Sequence, residues 1–157
     1  MEIERKFLIK EMPNLENVES KEICQGYLNV DSEPILRIRK YGLEYFLTYK
    51  YKNQISESSK ANSCIEYELP ITEKAYNNLS RKIEGIIINK TRYYIKLNDK
   101  LTAEVDIFHD ELDGLNIVEV EFSSIEEANA FIVPNWFGKE VSHDKKYRNS
   151  SLANLNR

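Results

Sequence analysis

Along most of this chain apolar residues alternate with charged ones, and the charged ones fall in same-sign doublets. Glu2 with Glu4, Arg37 with Arg39, Lys50 with Lys52, Glu66 with Glu68, Lys90 with Arg92, Glu104 with Asp106 and Glu119 with Glu121 all stand at i and i+2. Period two marks a strand, and this spacing puts both charges of a doublet on one face. Lys6 extends the first doublet, while Ile3, Phe7 and Ile9 take the opposite face. Leu36 and Ile38 do the same beside the arginines, as do Val118, Val120 and Phe122 beside the last glutamates. With 31% of residues charged, one such doublet is common, but seven are not. Like charges 5 Å apart repel by about 3 kcal/mol at an effective dielectric near 20, and ordinary surfaces intersperse their signs. Counting Lys6, the set holds eight acids and seven bases. Such a set can line one polar interior, where cations grip an anion and carboxylates hold hard metal ions. The competing reading is a β-domain with an apolar core and a solvated charged face.

The alternation predicts strands over 2–9, 22–29, 35–41, 43–52, 63–69, 86–97, 101–108 and 116–122, with tight turns at Gly42 and at Asn98-Asp99. Two stretches switch to helical spacing. Thr72 is an N-cap for a helix carrying Ala75, Leu79 and Ile83 and stopped by Gly85. Ser124 and Glu127 form a capping box ahead of Ile125, Ala128 and Ile132, and Pro134 ends that run. Short helices are also expected around Leu15 to Val18 and from Ser150 onward, and a polar loop over Asn53 to Asn62. The class is α+β, with the strands antiparallel and able to close into a barrel. A barrel with charges inside needs its apolar exterior covered, by the two helices or by a second subunit.

Composition excludes several chemistries. The chain has 157 residues, one domain's worth over 1–157, with a net charge of −4 and a pI near 5.4, unlike a general nucleic-acid or anionic-membrane binder. No apolar run reaches membrane-spanning length, and no signal-peptide core follows Met1, so the expected location is cytoplasmic. The five glycines are scattered and form neither a P-loop nor a dinucleotide fingerprint. His109 and His143 are the only histidines, which leaves little for a histidine zinc site or a catalytic triad. Cys24 and Cys64 read as two thiols of a reducing compartment. An enzyme built from these residues works with carboxylates, cations, hydroxyls and a metal.

The opening Glu2-Ile3-Glu4-Arg5-Lys6 reads E-x-E-x-K. It is followed in order by Gln25-Gly26-Tyr27-Leu28, Leu36-Arg37-Ile38-Arg39, Leu47-Thr48-Tyr49-Lys50, Lys90-Thr91-Arg92-Tyr93, Glu119-Val120-Glu121-Phe122, Pro134-Asn135-Trp136-Phe137-Gly138 and the stretch from Asp144 to Asn149. This ordered set resembles the CYTH superfamily, the triphosphate tunnel metalloenzymes, nearly end to end. The resemblance implies an eight-stranded antiparallel tunnel lined by the charges above, acting on a triphosphate with Mg²⁺ or Mn²⁺. By position, Glu2, Glu4, Glu119 and Glu121 resemble the metal-binding carboxylates, with Glu66, Glu68, Glu104 and Asp106 as further acidic contacts. Lys6, Arg37, Arg39, Lys50, Lys52, Lys90 and Arg92 resemble the cations around the phosphate chain. Lys145 or Lys146, taken as Lys146, adds one from a C-terminal segment that in the family can close the tunnel. The catalytic group implied is Lys6, Tyr27 and Glu68, with Tyr27 paired to Lys6. Among the family's activities the chain looks closest to the short bacterial inorganic triphosphatases. Adenylyl cyclase, thiamine triphosphatase and a non-catalytic polyphosphate or nucleotide sensor are the alternatives. The partner expected is a small-molecule triphosphate, without nucleic acid or membrane, on a monomer or homodimer.

Overall fold

The computed structural model describes residues 1–30, 33–52 and 59–154. Its strands are β1 (Glu2–Ile9), β2 (Ser20–Tyr27), β3 (Ile35–Tyr41), β4 (Glu44–Lys52), β5 (Asn62–Pro70), β6 (Glu84–Lys96), β7 (Thr102–Phe108), β8 (Asn116–Glu121) and β9 (Phe137–Glu140). Helices α1 (Glu73–Ser80), α2 (Ile125–Ala130) and α3 (Asn149–Leu152) interrupt them. The sheet runs β5-β4-β3-β2-β6-β7-β8-β1, and β5 pairs back onto β1, so eight antiparallel strands form a closed barrel. Closure removes every free edge from those eight strands. The seam is short, with Glu2, Ile3 and Glu4 opposite Cys64, Ser63 and Asn62. Beyond the seam the same edge of β1 is taken by β9, where Phe7 faces Glu140 and Ile9 faces Phe137.

Eight of the nine strands follow the alternation; β9 does not, and was not expected. It has only four residues, and Gly138 lies where a Cβ would come within 3.1 Å of the Leu8 carbonyl oxygen. The turn at Gly42 needs the left-handed backbone, φ +59°, that glycine adopts without penalty. Of the polar loop expected over 53–62, residues 53–58 lie outside the described residues and Asn62 already belongs to β5.

Thr72 caps α1 by accepting the Ala75 N–H at 3.1 Å, but the helix stops at Ser80 and Glu84 starts β6. Ser124 caps α2 through the Glu127 N–H, whereas the Glu127 carboxylate accepts from the Ser123 N–H and hydroxyl, one residue earlier than the capping box predicts. Helix α2 ends at Ala130, which sends Phe131 inward and leaves Ile132 88% exposed, off the apolar side expected for it. Residues Leu15 to Val18 make one turn closed by a Val18 N–H to Leu15 oxygen bond, not a helix. Among the described residues no helix is long and apolar enough to cross a membrane.

Two apolar clusters frame the interior. The outer one packs Ile3, Phe7, Val118, Val120 and Phe122 under α2 and Phe137. Arg5 shares this face, against the alternation, and is buried to 3% exposure. Its guanidinium donates to both Glu140 carboxylate oxygens and to the Ala128 carbonyl, so the buried charge is fully paired. The second cluster is made of inward-facing side chains, Tyr27, Ile88, Phe108 and Ile117, with Leu8 and Ile35 beside them. Leu152 and Ala153 of the C-terminal segment pack onto it at that end of the barrel.

Candidate active site

The charged doublets face the barrel interior, where they surround a cavity of about 940 Å³. Glu2, Glu4 and Lys6 reach it from β1, Arg37 and Arg39 from β3, and Lys50 and Lys52 from β4. Glu66 and Glu68 come from β5, Arg92 from β6, Glu104 from β7 and Glu119 with Glu121 from β8. Tyr27 closes part of the wall from β2. Cross-strand register aligns opposite charges, with Lys6 beside Glu119 and Lys50 beside Glu66.

Most of these charges are paired. Lys6 lies 2.8 Å from Glu119, and Lys50 lies 3.3 Å from Glu66 while also bonding Glu2. Burial pulls each lysine down in pKa, but the surrounding glutamates outweigh it and both are raised. Arg92 pairs with Glu104, with Asp106 at 2.7 Å and with Glu119 at 2.9 Å. Against the opposing effect of burial, Lys6 and Arg92 hold the Glu119 carboxyl well below the usual range. Arg37 stands looser, 3.6 Å from both Glu66 and Glu68, and donates to the Thr48 hydroxyl at 3.1 Å.

Two groups break the pattern. Arg39 meets no carboxylate among the described residues; it donates only to the Gln25 side-chain oxygen at 3.0 Å. Burial, then Arg37 and Arg92, pull its pKa down to about 10. Glu4 forms no ion pair among the described residues, and burial and Glu119 push its carboxyl up to about 7. An excess cation and an excess carboxylate within one enclosed space are the groups that an anion and a metal ion would satisfy.

Three of the sequence expectations are corrected. Lys90 and Asp106 share the inner face but lie beside the second apolar cluster, both fully buried and 2.5 Å apart, with the Lys90 ammonium over the Phe108 ring. Both Asp106 oxygens are taken by Lys90 and Arg92, so this carboxylate is a wall component and not a free ligand. Lys145 and Lys146 are exposed, and Arg148 lines the cavity in their place. The pairing of Tyr27 with Lys6 is also absent. The Tyr27 hydroxyl accepts from Gln25 at 3.3 Å, while the Lys6 ammonium donates to the Tyr147 carbonyl at 3.4 Å. Sequence reading missed Arg148, Thr48, Gln25 and Ser142. The last accepts the Lys6 main-chain N–H at 3.0 Å and ties the C-terminal segment to β1.

Hard oxygen donors suit Mg²⁺ or Mn²⁺. Glu4 and Glu121 are both raised by burial and by neighbouring glutamates, a mutual repulsion that a divalent cation relieves. As the side chains stand, no three carboxylate, histidine or cysteine groups among the described residues converge on one point. The oxygen donors of Glu4 and Glu121 suit a hard metal ion in chemistry, while Glu119 has both oxygens engaged by Lys6 and Arg92.

A closed barrel whose walls carry opposed cations and carboxylates defines a class that grips a charged ligand inside the sheet. The chain belongs to the CYTH domain family, whose model matches residues 1–151. It is 42% identical over 153 residues to an inorganic triphosphatase of Nitrosomonas europaea, covering 97% of this chain and 96% of the relative. An inorganic triphosphatase of Acetivibrio thermocellus is 32% identical over 152 residues, covering 97% and 92%. The crystal structure of the inorganic triphosphatase NE1496 superposes with a TM-score of 0.70 at 40% identity, covering 98% of this chain and 94% of that one.

Proposed function

We propose that this protein hydrolyses inorganic tripolyphosphate to pyrophosphate and phosphate inside the barrel, using Mg²⁺ or Mn²⁺, and acts more weakly on nucleoside triphosphates. The observation that carries the reading is Arg39, an enclosed guanidinium with no carboxylate partner among the described residues, set beside the loosely paired Arg37. The activity named for the two bacterial relatives supports it.

Arg37, Arg39, Lys50 and Lys52 reach the cavity from the adjacent strands β3 and β4 and hold the phosphate oxygens, with Lys6 from β1 and Arg92 from β6 on either flank. Guanidinium groups bind such oxygens in pairs, which fixes orientation as well as charge. Glu2, Glu4, Glu119 and Glu121 hold the metal, which when bound withdraws charge from the phosphorus. Glu68, its side chain 38% exposed and held loosely by Arg37 at 3.6 Å and the Thr48 hydroxyl at 3.5 Å, orients the attacking water. Water adds to phosphorus as the bridging P–O bond breaks, pyrophosphate leaves, and the proton passes to Glu68 and on to solvent. Burial raises the Tyr27 phenol, so it stays neutral and contributes a hydrogen bond, not a charge. Positioning and electrostatic stabilisation supply most of the rate in phosphoryl transfer. Tyr41, Phe46 and Tyr94 also line the cavity, two positions along from Arg39, Thr48 and Arg92, and give an organic group a place to rest. This favours the weaker action on nucleotides.

The test is phosphate release from tripolyphosphate with Mg²⁺ or Mn²⁺, with EDTA and a Lys6→Ala protein as controls and ATP alongside. Metal-dependent release that prefers tripolyphosphate and collapses in the variant is expected. Absence of turnover with every substrate overturns the enzyme reading.

A further inference from the structure

Lys6 stands where β1 changes partner. Toward its start the edge of β1 pairs with β5, ending at Glu4 opposite Asn62; toward its finish the same edge pairs with β9, from Phe7 opposite Glu140. Neither ladder reaches Lys6, whose register partner Glu119 lies across the other edge. A gap in a ladder leaves main-chain groups that something else must satisfy. Val141 and Ser142, which follow β9, fill this one. The Val141 N–H donates to the Lys6 carbonyl at 2.8 Å, while the Lys6 N–H donates at 3.0 Å to the Ser142 hydroxyl and not to a carbonyl. Lys6 and Ser142 are both buried, so water is no ready substitute for that bond. The Asn62 side chain bonds the Ser142 carbonyl, which ties the filler to the far flank of the gap.

A serine hydroxyl has one hydrogen to give. Two acceptors stand near it, the Glu140 carboxylate at 2.8 Å and the Lys6 carbonyl at 3.4 Å. The carbonyl is already taken by Val141, and the carboxylate is closer and charged. The hydrogen therefore goes to Glu140, and a lone pair is left for the Lys6 N–H. Glu140 is held in turn by Arg5, whose Nε and Nη2 donate to its two oxygens at 2.8 and 2.7 Å. The remaining Arg5 nitrogen, Nη1, donates to the Ala128 carbonyl of α2 at 2.9 Å. Burial opposes ionisation of Glu140, yet the hydrogen bonds from Arg5 and Ser142 hold its carboxyl below the usual range. Arg5, Glu140 and Ser142 thus form a chain of charge-assisted bonds on the side of β1 away from the cavity. It ends on the main chain of Lys6, whose ammonium lies inside the barrel, 2.8 Å from Glu119.

Resting on the triphosphatase reading, we propose that Ser142, oriented by Glu140 and Arg5, is a positioning residue for Lys6. Its hydroxyl fixes the main chain at the gap, and with it the point from which the ammonium meets a phosphate oxygen. A displacement of about 1 Å in such a group costs up to about 100-fold in rate.

The experiment compares the full chain with Ser142→Ala, Glu140→Gln and Thr72→Ala, and repeats the first two in a Lys6→Ala background. The dissociation constant for tripolyphosphate is measured by calorimetry in EDTA, and kcat and KM separately with Mg²⁺. Ser142→Ala is expected to weaken binding about 3- to 10-fold, the value of one hydrogen bond, and to lower kcat. Glu140→Gln keeps an oxygen for Ser142 but loosens Arg5, and falls between. Thr72→Ala removes a remote helix cap, and lowers the melting temperature without changing binding. In the Lys6→Ala background Ser142→Ala adds nothing, because the bond then positions no ammonium. Equal weakening in both backgrounds overturns the proposal, since Ser142 then acts on the barrel at large. Unchanged binding and kcat in Ser142→Ala also overturn it, and an active parent leaves the enzyme reading intact in either case. Should the alanine protein fail to fold, Glu140→Gln in the two backgrounds gives the same decision. A parent that binds tripolyphosphate without turning it over removes the enzyme reading, and the binding comparison still decides the role of Ser142. A parent that binds none overturns both.

Discussion

The two sides of the barrel interior carry the same kinds of side chain and use them in opposite ways. On the β6–β8 side Lys90, Arg92, Glu104, Asp106 and Glu119 neutralise one another in a continuous network that reaches Lys6. On β3, by contrast, Arg37 rests on Thr48 with long contacts to carboxylates, and Arg39 rests on Gln25 with no carboxylate among the described residues. Removing two charges from water costs several kcal/mol per ion, so the first side repays that cost internally by geometry. The second side leaves part of it unpaid, and a bound anion recovers it. Doublets that look alike therefore build a wall on one side and a grip on the other.

The sharpest way to break this contrast is to strip one partner from the closed pair. Lys90→Met costs less, because Arg92 still bonds both Asp106 oxygens, whereas Asp106→Asn is expected to cost about 3–5 kcal/mol, because Lys90 is left buried without its carboxylate. For a chain of this size that is a fall in melting temperature of about 10 °C, read by thermal denaturation. The double change Lys90→Met with Asp106→Leu should recover most of it. A single substitution that melts like the parent would mean that the two sides do not differ.

Arg39→Gln is expected to behave in the reverse sense. Melting without ligand stays level or rises, since an uncompensated enclosed charge is gone, while tripolyphosphate binding by calorimetry weakens about 10- to 100-fold. Smaller again is a pH effect at Glu4, measured in EDTA. Its folded carboxyl titrates near 7, raised by burial and Glu119 above its ordinary 4.5. The folded protein therefore keeps a proton that the unfolded chain releases. Stability from this group is full below about 4.5 and is lost as pH rises through 7. Glu4→Gln should flatten the melting curve over that window and raise the melting temperature at pH 8. Outside the cavity, Thr72→Ala removes only the cap of α1 and should cost about 1 kcal/mol with no change in ligand binding.

Much of this site was legible because parity along a strand is a local property. Glu2, Glu4 and Lys6 face inward for the same reason that Ile3 and Phe7 face outward, and one residue of slip would reverse them all. What parity does not encode is height along the barrel axis. Lys90 and Arg92 share a face, yet one sits in the apolar end and the other in the cavity. Nor does it extend past the strands. The 145–147 turn and α3 have no period-two face, so the direction of Lys146 and Arg148 is set by tertiary anchors at Lys6 and Ala153. Ile132 shows the same failure on a helix, where a stop at Ala130 cancels the spacing that placed it inside. Arg5 was hidden because its partner, Glu140, lies 135 residues away.

The position of β1 also governs the order in which the molecule can be assembled. Hairpins β3–β4 and β6–β7 join strands that are neighbours in the chain and can pair as soon as both exist. The first strand has no such neighbour; its partners are β5, β8 and β9, as far along as Glu140. A strand that precedes all its partners in the chain by this much is thus among the last to be placed, and contacts of that sequence separation slow folding. Until the final third of the chain emerges, Glu2, Glu4 and Lys6 have no barrel to line.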